Sequence, residues 1–308
     1  MKKQTKKIKI IPLALIPIFL VIFFISVRLT ARVADNSSPA PAGFFSIAAL
    51  ENQTTPQKIL NLPVPYIPEA PDGLMVKPWN NSCEEASTAM LDEYYAGIRD
   101  KRTAKDKAKK SILRYIDIEN KLFGYNGNTN AAEMTKVINE YSKYFEAEIK
   151  TNPTLEDIKN ELKAGRPVIA LLYGYNLNNP RILFARSGSY YHTFVIRGFD
   201  DDAEEFIVND NGDLTKGLDL RYSYDTILGA LADYDHQTQK TVKPATALFT
   251  SQRMLVKTED SGRIYLIKDD KKQYISSPQV FEDRDWKWSL VMTVEKSWLD
   301  KFPSGAAI

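Results

Sequence analysis

The chain has 308 residues with 41 basic against 39 acidic side chains. Five of the lysines fall within the first nine residues, so the remainder is slightly acidic, which argues against nucleic acid as the main partner. One cysteine excludes an internal disulfide, and two histidines are too few for a zinc site built from Cys and His, so no metal or cofactor is expected. Hydrophobic content of 44% and charged content of 26% are those of a globular protein, with room for one large domain or two modest ones.

Lys2, Lys3, Lys6, Lys7 and Lys9 precede an uncharged run over residues 10–27. That pattern predicts one membrane-spanning helix within a segment 1–34, its basic flank cytoplasmic and the rest of the chain outside the membrane. A cleaved signal, giving a secreted protein, is the alternative; Arg28 and Arg32 flank the exit and no small-x-small cleavage site is evident. Residues 35–58 read as a polar, Pro-containing tether.

A domain over 59–250 follows. Its first segment, Ile59-Leu-Asn-Leu-Pro-Val-Pro-Tyr-Ile67, is extended, and its prolines suit an edge strand. After a loop, Cys83 opens a helix whose Ala86, Met90 and Tyr94 share one face, with Asn81 or Ser82 as N-cap and Gly97 at its end. A thiol at a helix N-terminus is favoured as thiolate, while Glu84 and Glu85 push the other way; a buried, inert cysteine is the plainer reading. Residues 99–120 predict a solvated amphipathic helix and residues 130–145 another; Thr154 caps a short helix ended by Gly165, and residues 166–173 read as a central strand.

Tyr190 to Gly198 and Glu205 to Asn209 flank the acidic turn Asp200-Asp-Asp202 as a hairpin, the turn reading as solvated rather than as a calcium site. His192 opens the first strand and Asp210 closes the second, so antiparallel pairing puts them at one end of the sheet. A helix is predicted over 226–233 and a polar link over 236–250, which holds His236. The character changes at 262–308: a hairpin over 264–275, a short helix after Pro278, then Trp286, Trp288 and Trp298, read as the core of a separate small module.

Cys at a helix start, His on a later strand and Asp at the end of the next give the order nucleophile, base and orienter. If they meet, Cys83 and Asp210 should lie within about 3–4 Å of His192, and the imidazole should lower the thiol's pKa.

The chain also resembles a known family, the papain-like cysteine peptidases of family 39 and, more closely, their free-standing 39-like relatives. The resemblance is carried by Leu62 to Ile67, Trp79 with Cys83-Glu-Glu-Ala-Ser87, Gly165 to Ile169, His192 to Asp200, Phe206 to Asp210 and Tyr222 to Tyr224. It implies an α+β papain-like fold, a helical part carrying Cys83 and an antiparallel sheet carrying His192 and Asp210, with Asn209 as the fallback orienter. It implies an extracytoplasmic thiol peptidase acting on a peptide or peptidoglycan-linked substrate through a thioester; a papain-like binder of weak activity and a wall amidase are the alternatives. The family usually places an oxyanion-stabilising glutamine after the first strand, where this chain has Glu69. An ionised carboxylate cannot donate a hydrogen bond, which leaves Asn80 or Asn81 to supply an amide. The tail resembles a short module of bacterial surface proteins, implying contact with an envelope component.

Overall fold

The computed structural model describes residues 57–182 and 190–308. The anchor, with its run over 10–27, and nearly all of the tether lie outside the described residues. Among the described residues no helix is long and apolar enough to cross a membrane.

The first elements are β1 (Ile59–Asn61), α1 (Cys83–Tyr95), α2 (Lys105–Phe123), α3 (Ala131–Tyr141), β2 (Phe145–Thr151), α4 (Leu155–Lys163) and β3 (Val168–Tyr173). There follow β4 (Tyr191–Asp200), β5 (Glu205–Asn209), β6 (Leu220–Ser223), α5 (Tyr224–Ala230), β7 (Asp233–Asp235), β8 (Lys240–Val242) and β9 (Thr246–Gln252). An antiparallel sheet runs β2-β9-β3-β4-β5-β6, with β1 paired to the far end of β4. The fold is thus α+β, helices first and antiparallel sheet after, as expected.

Apolar periodicity located α1 but understated its burial. All of its residues except Asp92 are buried, because β4 covers one side and α2 the other. Ser82 does not cap it; its hydroxyl donates to the Pro78 carbonyl, at 2.9 Å. Asn130 and Thr154 do cap, each within a reciprocal capping box. β4 is buried along its whole length, its polar His192, Thr193, Arg197 and Asp200 included, so its sequence does not alternate apolar with polar residues. Gly198 allows β1 to lie against it: a Cβ there would stand 2.2 Å from the Leu60 carbonyl oxygen.

Three strands, β2, β8 and β9, escaped the helical reading of 130–145 and the link reading of 236–250. β2 starts at Phe145, and β9 is an interior strand between β2 and β3. Both are short, and β2 alternates charged with apolar residues, which a 3.6-residue period also fits over one turn.

The tail comprises β10 (Met254–Lys257), β11 (Tyr265–Lys268), β12 (Lys271–Tyr274), α6 (Gln279–Asp283), β13 (Met292–Thr293) and α7 (Lys296–Leu299), with a sheet in the order β12-β11-β10-β13. Trp286 is buried as expected, but Trp288 is 55% exposed and stacks on Phe281 with ring centroids 4.1 Å apart. Arg253 alone separates β9 from β10. Its buried guanidinium donates to the carbonyls of Asn139, Ser142 and Phe145 at 2.8–3.2 Å. The ion pairs of Asp300 with Lys296 and Lys272 face solvent on the Asp300 side, where screening leaves them little weight. Arg253→Ala would leave three carbonyls without their donor, at about 1–3 kcal/mol for each that water fails to reach. We expect it to lower the thermal midpoint well beyond Lys296→Ala, as measured by calorimetry.

Candidate active site

Three element ends meet here. α1 begins at Cys83, β4 begins one residue before His192, and β5 ends one residue before Asp210. Pairing of β4 with β5 brings the start of one strand to the end of the other. His192 Nε2 and Asp210 Oδ1 are 2.8 Å apart. The Cys83 sulfur, a ring nitrogen of His192 and a carboxyl oxygen of Glu69 all lie within 4.8 Å of one another.

Asp210 is itself held. Its Oδ1 accepts from the Gly212 amide at 3.2 Å, and its Oδ2 accepts from the Tyr222 hydroxyl at 2.7 Å. Asn179 donates to that hydroxyl in turn, at 2.9 Å. Gly212 also makes room for the base, since a Cβ there would stand 2.8 Å from His192 Cε1. Asn211 ties the helix to this corner: its amide donates to the Cys83 carbonyl at 2.8 Å and to Ser87 Oγ at 2.9 Å. Its backbone carbonyl accepts from the Glu69 backbone N–H at 3.1 Å. Asn211, Tyr222 and Gly212 received no role from the sequence. Tyr222 lay in a motif, while Asn211 and Gly212 carry no signal apart from their place after Asp210.

The remaining candidates stand elsewhere. Asn209 donates to the Val64 and Pro65 carbonyls and accepts from Arg197, so Asp210 alone faces the imidazole. Asn80 is exposed, and the amide of Asn81 lies beside Gly127. His236 pairs with Glu133 and Tyr125.

The electrostatics differ from expectation. Cys83 is 4% exposed and its thiol donates to Glu84 Oε2 at 2.9 Å. Burial, then the charges of Glu84 and Glu69, push the thiol well above its ordinary value instead of lowering it. Burial also acts to lower His192, but the charge and hydrogen bond of Asp210, with Glu69 and Glu84, outweigh it and raise the imidazole. Burial pushes Glu69 up to about 7. Counting only Cys and His missed Glu69 as a third donor, and the spacing of the trio would admit a cation. The sulfur is committed to Glu84 and the ring to Asp210, so we read the group as acyl chemistry and assign it no metal.

Fold and site together define a papain-type arrangement: an α+β domain with Cys at a helix start, His on a strand and Asp behind it. The sequence model described as the Peptidase_C39 like family matches residues 61–239, more than half of the chain, and the chain belongs to that family. A solved structure from Bacillus anthracis, described as a candidate C39-like peptidase, is similar at 18% identity and a TM-score of 0.41, over 64% of this chain and 98% of that one. No curated protein matches the chain.

Glu85 in the first turn of α1 and Glu119 on α2 form a buried carboxyl pair, both accepting from Asn126, at 2.6 and 3.3 Å. Burial is the main cause that raises Glu119 from 4.5 to about 8. Burial and then the charge of Glu119 raise Glu85 well above its ordinary range. The folded protein therefore holds a proton that the unfolded chain releases near pH 4.5. This contribution to stability is full below that pH and is lost as pH rises toward about 8. Glu119→Gln should flatten the fall in thermal midpoint between roughly pH 5 and 8 and raise the midpoint at the upper end, read by unfolding across a pH series.

Proposed function

We propose that the chain is a membrane-anchored, extracytoplasmic thiol peptidase that hydrolyses a peptide or amide bond through a thioester on Cys83. The observation that carries this reading is the His192–Asp210 contact at 2.8 Å, with a ring nitrogen of the same imidazole within 4.8 Å of the sulfur. Asp210 holds the imidazole through Nε2, and the ring takes the thiol proton while sulfur attacks the acyl carbon. The imidazolium so formed is stabilised by Asp210 and passes its proton to the leaving amine. The ring then deprotonates a water, which opens the thioester and frees the acid. The family supports a peptide as the substrate class.

One observation favours a second reading, a papain-like module that binds a peptide or wall fragment with little turnover: the thiol donates to Glu84, and burial holds it neutral. A peptidyl p-nitrophenyl ester separates the two. We expect hydrolysis by the full chain that Cys83→Ala abolishes and His192→Ala lowers about 10²–10⁴-fold. Asp210→Ala should cost less than Cys83→Ala, because it orients and does not attack. Iodoacetamide labelling of Cys83 without any Cys83-dependent hydrolysis would favour the binder.

The anchor is supported by the lysine-rich start and the run over 10–27. The full chain should stay with membranes after a high-salt wash. A soluble form beginning near Asp35, as the major species, would replace the anchor by a cleaved signal.

A further inference from the structure

We propose that the carboxyl group of Glu69, in its protonated form, donates a hydrogen bond to the oxyanion formed when Cys83 attacks an acyl carbon. This rests on the thiol-peptidase reading and adds to it a catalytic residue and a pH limit. Three features of the geometry support it. A Glu69 carboxyl oxygen lies within 4.8 Å of the sulfur. The oxyanion sits two bonds from that sulfur, and a donor belongs about 2.7–3.1 Å from it, a reach this separation allows. The Glu69 backbone is fixed by its amide, which donates to the Asn211 carbonyl, and Asn211 also holds the Cys83 carbonyl, so one residue sets both partners. Glu69 is 5% exposed, so its charged form has little water to solvate it.

The titratable groups facing Glu69 are Glu84 and Cys83 from α1, His192 from β4, Asp210 after β5, and Tyr66 from its own segment. Burial favours the neutral acid first; Glu84 and Asp210 add to that, and His192 opposes it. None of these neighbours is a lysine or arginine that could hold the carboxylate ionised. Attack forms the S–C bond and moves the carbonyl π pair onto oxygen, where the Glu69 O–H donates. Collapse restores the carbonyl and expels the amine, which takes its proton from His192. Glu69 keeps its own proton throughout.

The donor is lost as pH rises through the Glu69 value of about 7, so the wild-type rate should fall on the alkaline side. Two pH units above that value a single titration leaves about one hundredth of the rate. Glu69→Gln supplies an amide donor that does not titrate. Steady-state hydrolysis of the peptidyl p-nitrophenyl ester should therefore keep its rate at pH 9 in Glu69→Gln while the wild type falls roughly 100-fold, each corrected with Cys83→Ala. Glu69→Ala should lose roughly 10²–10³-fold at every pH. Its thermal unfolding should stay cooperative, which separates the loss of a donor from the loss of the fold. The same alkaline limb in wild type and Glu69→Gln, or full activity in Glu69→Ala, would overturn the proposal and leave the peptidase standing. Absence of Cys83-dependent hydrolysis in the wild type would remove the peptidase reading and this inference with it.

Discussion

The buried amide of Asn211 is the constraint on which the site depends. It grips the carbonyl of Cys83, while the backbone carbonyl of the same residue receives the Glu69 backbone N–H. Its neighbours in sequence face other partners. Asp210 meets the base, and Asn209 meets the Val64 and Pro65 carbonyls of the segment after β1. Three successive residues at the end of β5 thus join the helix that carries the sulfur, the strand that carries the imidazole and the loop that carries Glu69. Each makes buried hydrogen bonds in a region of low dielectric, where an unmade bond costs more than a made one contributes. Relative placement of the Cys83 sulfur, the His192 imidazole and the Glu69 carboxyl therefore follows from one strand end rather than from three independent loops.

The same burial governs the proton inventory. An ion pair of thiolate and imidazolium is favoured when the surroundings are neutral or positive. Here the sulfur has Glu84 against it and Glu69 close by, and both oppose a second negative charge. Burial and these charges therefore favour the neutral thiol at Cys83. Approach of a substrate changes this balance if it displaces the thiol from Glu84 and turns it to His192, because the imidazole is already raised by Asp210.

Much of this was legible in the sequence, and the reasons for the rest are physical. Helix α1 showed in its 3.6-residue period and the β4–β5 hairpin in two apolar runs around an acidic turn. Pairing geometry then put His192 beside Asp210 without a structure. What stayed hidden was whatever depends on burial. Sequence gives Glu69 as a carboxylate with its ordinary charge; only its enclosure makes it a weak acid near neutrality. The same holds for Asn211, whose amide is an unremarked polar group until the helix start is folded over it. The strands β2 and β9 were missed because edge and register are properties of the sheet, and a seven-residue segment carries too few alternations to exclude a helical turn.

The hairpin of β4 and β5 shows two ways to manage negative charge in one motif. At the turn, Asp200 faces Arg221, Asp201 faces Lys159 and Asp202 faces Lys58. The Arg221 hydrogen bond holds Asp200 below its ordinary value, and for Asp201 the Lys159 and Tyr224 hydrogen bonds overcome the opposing effect of burial. Water and mobile cations reach that end, so the acids stay charged. At the other end Glu69, Glu84, Glu85 and Glu119 are buried, and burial leads the causes that raise each of them. A buried cation there would pair with the carboxylates and fix them as acceptors. Burial instead favours the neutral form of each, and a neutral carboxyl can donate a hydrogen bond. The role proposed for Glu69 draws on this effect: burial favours its neutral form, against the opposing charge of the His192 imidazole.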